Sequence, residues 1–217
     1  MFRNILFVML CIMTLAGCAA NPTPTAQSGN LTGKLAYETA PQFIEAELQQ
    51  LAVSQNEFAN AIFAYQAQAK ENLVISPYSL YQALSMLYAG AAGETASEMR
   101  LAMRLPWEDA RMHRLVNALN QRLLNSAGTG DEGSQAFDLQ IPNALWADKN
   151  GTYEQAFLDI LSQNYDTGMK ILDFKDASAA ADAINAWVAE QTAQKITQLA
   201  DPAMFSPETA PDLTQAA

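Results

Sequence analysis

Apolar residues three or four apart alternate with short runs of period two, and that alternation sets most of the predicted elements. Between 41 and 70, Phe43, Ile44, Leu48 and Leu51, then Phe58, Ile62, Phe63 and Tyr65, predict two helical segments. Ser54 with Glu57 three residues on has the Ser-x-x-Glu pattern of a capping box, which puts the break at Ser54. Asn72 to Ser76 is a short apolar run stopped by Pro77 and predicts a buried strand. Pro77 suits a first helical turn and Ser76 its N-cap, opening a helix whose apolar face is Leu80, Ala83, Leu84 and Leu87. Gly90 and Gly93 close that helix, and Thr95 with Glu98 predicts a capped start for a short one ending before Pro106. Met112, Leu115, Val116, Leu119 and Leu123 keep helical spacing through 107–125, and the Gly-rich stretch 126–134 reads as a loop. Phe137, Leu139 and Ile141 alternate and lead into Ala144–Trp146 as a strand, followed by an Asn150-Gly151 turn. Residues 153–165 read as a helix, 169–174 as a second strand, and Asp176 as the cap of a last helix whose stripe is Ile184, Trp187, Val188, Ile196 and Leu199. The fold class is α+β, without internal repeats.

The first residues carry a different signal. Arg3 precedes a nearly unbroken apolar run from Ile5 to Leu15. Eleven helical residues rise only about 16 Å, half of a hydrocarbon core of about 30 Å, so the run suits a secretory signal better than a membrane span. It ends in Leu15-Ala16-Gly17-Cys18, which resembles the lipobox of bacterial lipoproteins. That resemblance implies removal of 1–17 as a signal peptide and acylation of Cys18, with Ala19 favouring the outer membrane. From Ala19 to Lys34 only Leu31 is large and apolar, so 18–40 is expected to be a flexible lipidated tether.

Composition narrows the chemistry. Among 217 residues, 50% are hydrophobic, ample for a core, and 12 basic against 23 acidic side chains give a net charge of −11. Nucleic acid would be repelled by that charge. The two cysteines, Cys11 and Cys18, both lie before the folded part, so no disulfide framework is expected there. With one histidine, His113, a multi-histidine metal site has no ligands, and no cofactor or metal is implied. Ser76 or Ser79 with His113 could be nominated as a triad, but no Gly-x-Ser-x-Gly elbow or Ser-x-x-Lys pair accompanies them. His113, between Met112 and Arg114, reads as a solvated or edge side chain, and an enzyme is not expected.

Two blocks together resemble the serpins. One runs from Asn72 through Ile75-Ser76-Pro77-Tyr78-Ser79-Leu80 to Met99, preceded by Asn56-Glu57-Phe58-Ala59. The other runs from Ile141-Pro142-Asn143-Ala144-Leu145-Trp146 through Asp173-Phe174 and Ile184-Asn185-Ala186-Trp187-Val188 to Ile196. The resemblance implies the N-terminal portion of the serpin fold over 41–209, its helices and the first strands of the large sheet, ending before the reactive-centre loop. It places Ser76 and Ser79 in the shutter beneath that sheet and lays the 184–188 helix across it. Serpins inhibit serine or cysteine proteases as suicide substrates, by inserting a cleaved reactive loop as a strand, and that loop lies beyond the matching region.

The resemblance therefore implies an envelope-anchored lipoprotein of a protease-inhibitor family, with a protease as its family partner and the membrane reached through Cys18. A chain of these 217 residues without the loop is expected to be inactive as an inhibitor. The alternative is a tethered scaffold that binds a partner's strand. The family's pattern departs at 210–217, where Pro211 stands in a central strand, so that tail is expected to diverge from the fold. Leu80, Leu84 and Leu87 would lack partners from the family's second half, forfeiting about 1.5–3 kcal/mol each.

Overall fold

The computed structural model describes residues 29–67, 72–107, 110–126, 139–205 and 214–216. Strands β1 (Gly29–Leu31), β2 (Ala144–Asp148), β3 (Met169–Leu172) and β4 (Thr214–Ala216) form one sheet in the order β1-β3-β2-β4. β2 and β3 are parallel, while β1 and β4 are antiparallel to their neighbours. The helices are α1 (Glu45–Gln66), α2 (Pro77–Tyr88), α3 (Gly93–Ala102), α4 (Arg111–Ser126), α5 (Gln155–Tyr165) and α6 (Ala177–Gln191).

Alternation along the strands gives the sheet two dry faces, as a parallel pair requires. Leu145, Ala147 and Met169 pack with Met86 of α2 and with Phe157, Leu158 and Leu161 of α5. Ala144, Trp146 and Leu172 turn the other way, on to Ala180, Ala181, Ile184 and Val188 of α6. A third cluster holds α1, α2 and α4 together through Leu51, Phe58, Tyr81, Met112 and Leu115. Parallel β2 and β3 are joined through α5, as a crossover demands.

Several expectations are corrected. α1 is one continuous helix: Ser54 caps nothing, because its hydroxyl donates to the Arg104 carbonyl, which is offered by a residue at φ +59°. α3 opens at Gly93, at φ +60°, not at Thr95, and no side chain caps it. Residues 72–76 join no sheet, and Val74 is 96% exposed. The buried side of α2 is Tyr81, Ala83, Ser85, Met86 and Tyr88, whereas Leu80, Leu84 and Leu87 are only half-buried. β2 begins at Ala144, so 139–143 is not strand, and Phe137 lies outside the described residues. Ile196 and Leu199 lie beyond the end of α6 and are exposed.

The largest correction concerns the tether. Its described part, 29–40, is docked on the domain. β1 pairs with β3, and the chain then follows α5: Gly33 N–H donates to Ser162 Oγ (2.7 Å), Lys34 N–H to Asp159 Oδ1 (2.6 Å) and Glu38 N–H to the Gln163 carbonyl (2.9 Å). Asn117 Nδ2 and Gln121 Nε2 both donate to the Glu38 carbonyl at 2.8 Å, and the Tyr37 hydroxyl donates to Asn117 Oδ1. Main-chain groups carry most of this docking, which is why a polar composition did not announce it. The tail is corrected too. Pro211 lies outside the described residues, and 214–216 pair with β2 as β4.

Candidate functional site

The candidate region is the start of α2, the sheet above that helix and α6 on the sheet's other face. Pro77 fixes the first turn of α2, and Ser76 Oγ accepts from Ser79 N–H (3.3 Å) as its N-cap. The two hydroxyls lie 2.9 Å apart. Ser76 is exposed and Ser79 half-buried. A chain of polar groups continues along the helix: Gln82 Nε2 donates to the Tyr78 hydroxyl (2.6 Å), which donates to Asn120 Oδ1 of α4 (3.3 Å). Burial pushes the Tyr78 phenol up to about 12. These groups fix α2 against α4, and the two serines serve each other.

His113 is not solvated. It is buried at 4% exposure, with Nδ1 2.6 Å from the Tyr165 hydroxyl and the rings of Tyr88 and Tyr165 at centroid distances of 6.1 and 5.8 Å. Burial lowers its pKa to about 4. The hydrogen bonds of Ser76 and Ser79 run to each other, and His113 is engaged by Tyr165, so the nominated triad is not assembled. Among the described residues no group of three His, Cys, Asp or Glu side chains could hold a metal ion. Cys18 lies outside the described residues.

Above the sheet, Asp176 Oδ1 accepts from Ala179 N–H and starts α6. Trp187 of α6 meets Trp146 of β2 edge to face at 6.0 Å, and Lys170 Nζ lies 5.7 Å from the centre of the Trp146 ring. Beyond α6 the chain reverses through Ala193 and Gln194, both at positive φ, with Thr192 Oγ1 accepting from Ile196 N–H. Asn185, which periodicity does not single out, ties the returning strand of chain: its Oδ1 accepts from Leu199 and Ala200 N–H, and its Nδ2 donates to the Ala200 carbonyl. The rings of Phe174 and Phe205 meet at a tilt, their centroids 5.4 Å apart. β4 stands at the end of the strand order, its outer edge unpaired among the described residues.

A helix crossing one face of a sheet that ends in an open strand can let that edge accept another strand, provided α6 yields. The family model described as Serpin (serine protease inhibitor) matches residues 53–216. An uncharacterized serpin-like protein of Thermococcus kodakarensis is 31% identical over 208 residues, covering 92% of this chain and 47% of that protein. The leukocyte elastase inhibitor of Bos taurus is 31% identical over 155 residues, covering 70% of this chain and 39% of that protein. The native crystal structure of Tengpin, a thermophilic serpin, superposes with a TM-score of 0.67 at 23% identity, covering 87% of this chain and 44% of that one. The chain spans about half the length of the curated relatives it matches.

Proposed function

The chain belongs to the serpin family, and from that premise we propose that it is the first half of a protease-inhibitor domain carried in the cell envelope on an acylated Cys18. The parallel pair of β2 and β3 with α6 laid across it, in a chain that matches the serpin family over residues 53–216, carries this reading, because a strand-inserting inhibitor needs a sheet whose covering helix can yield. In this reading the protease is met by a reactive loop in the family's second half. Ser76 and Ser79 hold the start of α2 beneath the sheet, a shutter role in which an unpaired hydroxyl would cost about 1–3 kcal/mol. The 217 residues by themselves supply the receiving sheet and no bait. Mixed with chymotrypsin-like, elastase-like and papain-like proteases, they are expected to give no SDS-resistant covalent complex; one such complex would overturn this division of labour.

Export across the inner membrane and anchorage, with the outer membrane favoured by Ala19, follow from the lipobox pattern at 15–18. A cysteine carrying two or more acyl chains is a durable anchor, whereas one chain binds marginally. Bacteria expressing the chain and fed radioactive palmitate are expected to label it and hold it in the membrane fraction. Cys18→Ser should lose both label and membrane retention, and a labelled, membrane-bound Cys18→Ser protein would refute lipidation at this residue.

A further inference from the structure

Among the described residues, α3 is the one helix of α1 to α6 that buries none of its side chains fully. Between it and α2, α4 and α5 lies a cavity of about 380 Å³, large enough for a small molecule. One face of α3 lines it, made of Gly93, Ala96, Ser97 and Arg100, spaced three and four apart. Over that span a helix rises about 10 Å, so the cavity is elongated along α3. Ala91, Ala110 and Ile160 stand against it as short, apolar walls.

Two polar side chains give this space its chemistry. Arg100 lies in the last turn of α3 and His113 in the first turn of α4, two helix ends that adjoin in sequence. His113 is the most deeply buried lining residue, at 4% exposure. Its Nδ1 is taken by the Tyr165 hydroxyl at 2.6 Å, and its Nε2 has no hydrogen-bond partner among the described residues. The guanidinium has five N–H donors, so a ligand can share it with any neighbour. No acidic side chain among the described residues lines the cavity, in a chain that carries 23 of them.

We propose that the cavity under α3 binds a small monocarboxylic acid, its carboxylate held by Arg100 and His113 Nε2 and its hydrocarbon body laid along the alanine walls. One cation balances one negative charge, which suits a carboxylate better than a phosphate group carrying nearly two. The carboxylate needs the imidazole tautomer with its hydrogen on Nε2, and the Tyr165 hydroxyl supplies that tautomer by donating to Nδ1. Once bound, the acid joins α3 to α4, and the helix with the fewest buried side chains gains a partner. This site stands apart from strand insertion and from the Cys18 anchor, and depends on neither.

His113 is the chain's one histidine, so its two ring nitrogens give a single pair of NMR signals. Hexanoate is titrated at neutral pH into the chain carrying 15N-histidine and no affinity tag. At about 10 mM even a site of millimolar affinity is nearly filled. The Nε2 signal is expected to move and saturate, while Nδ1 moves less. Hexanamide, of the same shape without the charge, should bind at least about tenfold more weakly. Arg100→Gln should weaken hexanoate by about the same factor, with Arg100→Lys recovering part of the loss. Ala96→Phe, which fills the cavity from α3, should abolish the shift. An Nε2 signal that stays still with hexanoate, or moves undiminished in both Arg100→Gln and Ala96→Phe, would overturn the proposal. Hexanamide binding as tightly as hexanoate would overturn the carboxylate as the group recognised.

Discussion

Taking the chain from neutral pH to about pH 4 is expected to cost the fold about 3 kcal/mol, through one histidine. α4 turns Met112, His113, Val116 and Asn117 inward together, so the imidazole enters the core with its helix. There it lies against Tyr88 and Tyr165 with Nδ1 on the Tyr165 hydroxyl. Burial disfavours the imidazolium and lowers the pKa from 6.5 to about 4. In the folded chain His113 stays neutral through that interval, whereas in the unfolded chain it takes up a proton below about 6.5. Unfolding therefore binds protons between these values. The stability that the neutral histidine allows is complete above 6.5, declines as pH falls and is gone below about 4.

Glu45 beside Arg122, Asp159 accepting from Lys34 N–H, and Asp173 beside Lys149 have lowered pKa values, so their losses begin as pH falls through the ordinary values, 4.5 for Glu45 and 3.8 for the two aspartates, at the acid end of this interval. They are surface groups, screened by solvent, and contribute little. Against a total stability of about 5–15 kcal/mol, the histidine contribution is large. Urea midpoints measured at steps from neutrality to pH 4 should fall in the native chain and stay nearly level in His113→Gln, which keeps a polar partner for Tyr165 without ionising. A native midpoint that does not move across this interval would show that the imidazole reaches water in the folded chain.

What the sequence reveals of this fold divides by the distance over which a residue acts. Ser76 and Asp176 are recognisable as caps because each hydroxyl or carboxylate answers a main-chain N–H three residues on. α4, α5 and α6 are legible because each has one dominant apolar stripe. Ser54 carries the same local pattern as a true cap, yet its hydroxyl is claimed by Arg104, fifty residues away, and the helix runs through. α2 offers two apolar faces, and hydrophobicity alone cannot say that Tyr81, Ser85 and Tyr88 find partners while Leu80, Leu84 and Leu87 stay half-open. The arm leaves no mark in composition because main-chain hydrogen bonds dock it. Asn185 is likewise hidden: its three bonds reach main chain fourteen and fifteen residues on, at a turn no periodicity reports. The serpin blocks are legible because their order of residues is specific, above all the Ser76 cap followed at once by Pro77 in the first turn of α2.

Phe174→Ala is expected to be the most damaging single change, lowering stability by about 3–5 kcal/mol. The ring lies two residues beyond the end of β3, is 1% exposed, and belongs to the cluster in which Ala144, Trp146, Ile184 and Val188 join the sheet to α6. On its other side it meets Phe205, so it also holds the segment returning beyond α6. Removing it takes away packing from three elements at once. None of them can collapse freely into the space: Asn185 ties the return to α6, and the β2–β3 ladder fixes the sheet. The cavity should therefore persist, which puts the cost at the upper end of the usual range for large-to-small changes. Phe174→Leu should recover most of the loss, because it restores volume without the aromatic contact. Tyr65→Ala, at a side chain 73% exposed, should change stability by no more than about 0.5 kcal/mol. The Trp146–Trp187 pair supplies a local readout, since α6 lifting from the sheet separates two rings now 6.0 Å apart. In Phe174→Ala the tryptophan emission should shift toward that of exposed indole at urea concentrations where the native chain is unchanged. If Phe174→Ala melted at the native urea midpoint with native emission, α6 would be held to the sheet by something other than this cluster, and the receiving surface proposed for strand insertion would need a different hinge.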